Sequence, residues 1–128
     1  MKITIIILTL LLVSMPIFAS NSSNCGVAMA TIDDIVIKAN TALKYSDIDQ
    51  ISDVANAIKE DADKALQATD SCDCDDAYYT AEVIFENAND AYLSDTVEEA
   101  TGYIKTVQQD VVIAKQHVKA CSIQLAKQ

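Results

Sequence analysis

Four cysteines carry most of the chemistry this sequence offers. Cys25 to Cys72 and Cys74 to Cys121 are spans of equal length, and Asp73 alone separates them. Cysteines in this number either pair as disulfides in an oxidising compartment or, as thiolates, hold a soft metal such as zinc or copper. The other reactive residues are sparse. His117 is the only histidine, and its place in the helical pattern puts it on a solvated surface. The run Asp70-Ser71-Cys72-Asp73-Cys74-Asp75-Asp76 offers oxygen ligands at alternate positions, like part of a calcium loop, but lacks the Gly at the sixth and the Glu at the twelfth position of an EF-hand. Its carboxylates read instead as helix-capping groups in water. Asp33-Asp34 and Glu98-Glu99 are adjacent in sequence, so on a helix they point to different sides and do not make an acid/base pair. No Ser, Cys or Lys stands in a catalytic motif. The expectation is a protein that is not an enzyme and uses no metal or cofactor.

The first residues decide how the cysteines are read. Met1 and Lys2 precede a nearly all-apolar run from Ile3 to Leu12, followed by Pro16 and the small residues Ala19 and Ser20. That is the pattern of a secretory signal peptide over residues 1–20, with a run too short for a membrane span of about 20 residues. In a secreted chain four cysteines form a disulfide framework. A Cys72–Cys74 bridge would close a strained ring over one residue, which favours Cys25 with Cys72 and Cys74 with Cys121. The crossed pairing, Cys25 with Cys74 and Cys72 with Cys121, stays open. Asn21-Ser22-Ser23 is an N-glycosylation sequon in the linker expected to precede the bundle.

Apolar and small residues recur on alternating steps of three and four in both spans. In the first they are Cys25, Ala28, Ile32, Ile35, Ala39, Ala42, Ile48, Ile51, Ala55, Ile58, Ala62, Ala65, Thr69 and Cys72. In the second they are Cys74, Ala77, Ala81, Ile84, Ala88, Ala91, Val97, Ala100, Ile104, Val107, Val111, Ala114, Val118 and Cys121. Each residue of the second series lies as far from Cys74 as its counterpart lies from Cys25, so the chain is two copies of one unit, about 25–72 and 74–121. The steps keep one stripe of a helix apolar. Helices are predicted over 26–44, 48–69, about 75–92 and about 96–125, with Ser46-Asp47 and Ser94-Asp95 as N-caps and Glu98 completing a capping box. Short links force neighbours antiparallel. The predicted fold is an all-α, up-down-up-down four-helix bundle built from two disulfide-stapled hairpins, a single domain over 21–128 with all four cysteines at one end.

Charge bears on the partner. Nine Lys, no Arg and 19 acidic residues give a net charge of −10. Without the Arg fork for phosphate and without a basic face, neither nucleic acid nor an anionic membrane is expected as a target. A basic extracellular protein fits better. Tyr45, Tyr92 and Tyr103 lie toward the end away from the cysteines, either as anchors for such a partner or as covers for the edges of the core stripe. Alanine dominates that stripe, which lets helices approach closely and leaves little room for a cavity.

The stretch Cys74-Asp-Asp-Ala-Tyr78-Tyr79-Thr-Ala81, with Ala88 beyond it and Ala114 and Val118 approaching Cys121, resembles the plant invertase and pectin methylesterase inhibitors. The resemblance is confined to the second hairpin. The chain departs from the family in having no cysteine hairpin before Cys25 and only a short tail after Cys121. What it implies is a secreted four-helix bundle, with a disulfide from Cys74 to Cys121, that docks on a cell-wall or vacuolar carbohydrate-active enzyme and blocks it without catalysis, in the cell wall or apoplast. The functional expectation is therefore a secreted binder or inhibitor of such an enzyme. The alternatives are a small-ligand or metal carrier in the extracellular space or periplasm, and a structural or defence bundle.

Overall fold

The computed structural model describes residues 20–127, with side chains from Asn24 onward. Apart from the backbone of Ser20, the expected signal peptide lies outside the described residues. Four helices follow: α1 (Ser20–Ala42), α2 (Ile48–Ser71), α3 (Asp75–Tyr92) and α4 (Val97–Ala126). No strand occurs among the described residues. α1 packs on α2, α2 on α3, α3 on α4, and α4 returns to α1, closing an antiparallel bundle; across the diagonals only α2 and α4 touch. α1 starts earlier than predicted. Asn21 therefore sits in its first turn rather than in a linker, and its side chain is outside the described residues.

The ends of the helices follow local chemistry. Asp47 caps α2, its Oδ1 accepting the Asp49 N–H at 2.9 Å. The cap of α4 falls one residue later than Ser94-Asp95: Thr96 Oγ1 accepts the Glu99 N–H at 3.2 Å. Thr96 and Glu99 fit the Thr-x-x-Glu pattern better than Asp95 and Glu98 because the hydroxyl then reaches the third helical N–H. Ser94 is buried instead and donates to the Asp90 carbonyl at 2.7 Å. Asp47 and Thr96 hold equivalent positions in the two units.

The turn joining the units is very short. Cys72 ends α2, and Asp73 takes a left-handed conformation, φ 54°. Cys74 N–H then reaches the Thr69 carbonyl at 3.0 Å and Asp73 N–H the Asp70 carbonyl at 3.1 Å. This is the Schellman arrangement, whose left-handed position usually belongs to Gly. Asp is one of the few other residues that tolerate it.

The core is the predicted stripe. Of the 28 stripe residues named above, only Ile48, Val97 and Cys121 are partly buried rather than buried; Ala68 joins the core at its margin. Small side chains give each helix little apolar area to hide, at about 0.8 kcal/mol per buried CH₂. The staples compensate. Cys25–Cys72 and Cys74–Cys121 bridge Cα atoms 5.3 and 5.8 Å apart, each across 47 positions, and a loop of that size is worth about 4 kcal/mol through the entropy of the unfolded chain.

Candidate functional site

The equivalence of the two units extends from the core to polar contacts. Lys38 on α1 binds Asp61 on α2; at the equivalent positions Asn87 Nδ2 on α3 donates to Asp110 Oδ2 on α4 at 3.1 Å. Between units, Lys59 Nζ on α2 donates to Asn89 Oδ1 on α3 at 3.2 Å. Its counterpart Gln108 on α4 donates to Asn40 on α1 at 2.7 Å. Thr31 and Thr80, also equivalent, each donate back one turn, to the Val27 and Asp76 carbonyls. The bundle thus has an approximate two-fold axis between its hairpins. These contacts fix the helix register, which allows outward-facing residues to be placed against one another.

The residues singled out in the sequence are scattered across this frame. All four cysteines meet at one end and are consumed in the two bridges. The acidic link is exposed at Asp70, Asp73, Asp75 and Asp76, with Asp75 and Asp76 in the first turn of α3, where the helix dipole favours them. Among the described residues no three His, Cys, Asp or Glu side chains gather as metal ligands. His117 lies off the core stripe and is half-buried, more enclosed than a freely solvated histidine. Tyr45 and Tyr92 are exposed near the end away from the cysteines. Tyr92 also lies over Lys59, whose Nζ is 5.3 Å from the ring centre. Tyr103 is half-buried and packs against the core. The three tyrosines therefore do not present alike.

What the hairpins leave outside differs sharply. Among the described residues, the first exposes three large apolar side chains, Val27, Ile37 and Tyr45. The second and its loop expose eight: Tyr78, Tyr79, Val83 and Tyr92 on α3, Leu93 after it, and Val112, Ile113 and Ile123 on α4. Charge does not follow this division. Residues 25–72 hold four Lys against nine acids, a charge of −5, and residues 74–121 three Lys against nine, a charge of −6.

Val83, Val112 and Ile113 form the centre of the second hairpin's outer face. Antiparallel register puts Val83 one turn from Asn87 and Ile113 one turn from Asp110, in the same direction, so the two flank the α3/α4 groove. Val112 follows on the α1 side of α4. They are 43%, 56% and 45% exposed for Val83, Val112 and Ile113, too open to serve the core. Gln109 and Gln116 flank the Val112-Ile113 pair one turn away on either side, Lys115 lies beside Val112 and pairs with Asp33 on α1, and Glu82 and Glu86 edge the α3 side. Below them, burial pushes the Asp110 carboxyl above its ordinary range, partly offset by the Asn87 hydrogen bond. The three apolar side chains are thus edged by polar and charged ones.

Shallow grooves also mark the described surface. One of about 250 Å³ runs along α4 beside Gly102 and Tyr103, and one of about 320 Å³ lies between α1 and α2 beside Val27 and Lys64. No known family model, curated protein or solved structure matched this chain.

Sequence reading missed Val83, Val112 and Ile113 because it followed the stripe and ignored residues off it. The signal was present: their equivalents in the first unit are Asp34, Asp63 and Lys64. Three surface positions that are charged in the first unit are β-branched and apolar in the second.

Proposed function

We propose that this is a secreted, non-catalytic binding protein that docks on an extracellular protein through the outer face of its second hairpin. The observation that carries the reading is the apolar group Val83, Val112 and Ile113, standing where the otherwise equivalent hairpin has charges. Burying such residues against a partner recovers roughly 25 cal/mol per Å² that exposure forfeits. Pairing of all the cysteines supports an oxidising compartment. The net charge of −10 favours a partner with a basic rim around an apolar patch.

A carbohydrate-active enzyme such as pectin methylesterase or invertase is the target class to test first, because the resemblance to their inhibitors falls on the same hairpin. Inhibition would follow from covering the enzyme's substrate entrance and needs no chemistry from this chain. The test is retention of enzymes from the native extracellular fluid on immobilised protein, with pectin esterase and glycosidase assays of what is held. Retention of such an enzyme, lost in the Val83→Lys/Ile113→Lys variant, is the expected result. A column that holds none of these activities removes the target class, and equal retention by the variant removes the face.

A further inference from the structure

We propose that the two hairpins exchange between copies of this chain, giving a dimer in which each bundle takes its first hairpin from one copy and its second from the other. This inference is independent of the docking face. It rests on three features that the bundle combines.

The first is covalent topology. Cys25–Cys72 closes the first hairpin and Cys74–Cys121 the second, so no disulfide crosses between them. Only the backbone through Asp73 holds the hairpins in one chain, and they can part without breaking a sulfur–sulfur bond. The crossed pairing would have made exchange impossible without reduction.

The second is the interface itself. Contacts between hairpins run along α2·α3 and α1·α4, and the approximate two-fold axis relates one seam to the other, as Lys59–Asn89 and Gln108–Asn40 show. A second copy supplies the same two seams with the same side chains. Every contact of the closed monomer is therefore available in the exchanged dimer, which is the condition for swapping.

The third is the hinge. In the closed bundle Asp73 stands at φ 54°, a conformation that Gly adopts freely and that Asp tolerates at some cost. In the exchanged dimer residue 73 can relax to an ordinary φ, and the two bundles open from the α2–α3 edge like a book, leaving the ends of α1 and α4 free on the far side. Closure wins at low concentration because the tether makes the hairpins' encounter intramolecular. Exchange gains as concentration rises.

The test unfolds the purified protein in denaturant without reductant, keeping both bridges, refolds it at low and high concentration, and measures mass by light scattering after size exclusion. Wild-type protein is expected to refold to a monomer at low concentration and to give a dimer at high concentration, with Cys25–Cys72 and Cys74–Cys121 still formed. Asp73→Gly, which suits the left-handed position, should lower the dimer share several-fold, and Asp73→Val should raise it several-fold. If Asp73→Val does not fold, wild type against Asp73→Gly decides. Monomer at every concentration, a dimer share indifferent to residue 73, or a dimer held by interchain disulfides overturns the proposal. A dimer lost in Val83→Lys/Ile113→Lys but unchanged in Asp73→Gly is a surface contact and overturns it too.

Discussion

The two hairpins share a repeat length, a core stripe, a staple, a capping position and nearly the same net charge, yet they meet the solvent differently. The first pairs a lysine with a buried aspartate across its helices, Lys38–Asp61, with Asp34 and Lys64 nearby; the second places Asn87–Asp110 there, with Val83 and Ile113. What is held constant is what folds the bundle. Residue types change within the buried stripe as well, Ile32 and Thr69 corresponding to Ala81 and Val118, but there they stay small or apolar; on the surface, where folding constrains residue type least, charged Asp34, Asp63 and Lys64 correspond to apolar Val83, Val112 and Ile113.

The largest effect should leave the halves alike. Replacing Cys25 and Cys72 by Ser, or Cys74 and Cys121 by Ser, removes a staple over a loop of 47 positions in either case. Each pair is expected to cost about 2–5 kcal/mol, and urea unfolding should put the two losses within about 1 kcal/mol of each other. A much larger loss from one pair would break the two-fold account.

The next effect should separate them. Asp61 is nearly buried while its partner Lys38 is 38% exposed, so Lys38→Met strands a carboxylate in the interior. Breaking a fully buried pair costs about 3–5 kcal/mol; with Lys38 open to solvent about 2 kcal/mol is expected. The equivalent Asn87→Leu loses one hydrogen bond, about 1 kcal/mol. Equal losses would mean that the ion pair adds nothing to its half.

Gly102 gives a change in the opposite direction. It lies inside α4, and a Cβ there meets nothing within 4 Å. Gly102→Ala should raise stability by about 1 kcal/mol, read as a higher urea midpoint at an unchanged slope.

The smallest effect is one of pH. Burial raises the Asp110 pKa above its ordinary value of 3.8, so the folded state holds that proton more tightly than the unfolded chain does. The stability this confers is present below the ordinary value and is lost as pH rises through the folded one. At neutral pH Asp110 therefore opposes folding slightly. Asp110→Asn should gain slightly there and flatten the decline in stability just above pH 3.8, whereas Asp61→Asn should lose stability at neutral pH because it breaks the pair with Lys38.

The fold was legible because its information is repeated. Steps of three and four recur along each helix and again in the second unit, so Ala28 and Ala77 or Ile35 and Ile84 vouch for each other, and both are buried. The boundaries were less legible. Thr96 and the Ser94-Asp95 pair are all good caps by composition, and only the backbone shows which hydroxyl reaches an N–H. The left-handed Asp73 was not anticipated, since the usual signal there is Gly. The docking face was hidden for a different reason: Val112 and Ile113 are unremarkable in an apolar helix until Asp63 and Lys64 are set beside them.

Those matched positions provide the most direct measurement. Proteins captured from the native extracellular fluid should be compared for wild type, for Val83→Lys/Ile113→Lys in the second hairpin, and for Asp34→Ala/Lys64→Ala at the equivalent sites in the first, all three checked for equal helix content by circular dichroism. Loss of the captured partner in the second-hairpin variant alone is the predicted result. Loss in the first-hairpin variant, with capture by the other intact, would contradict the account.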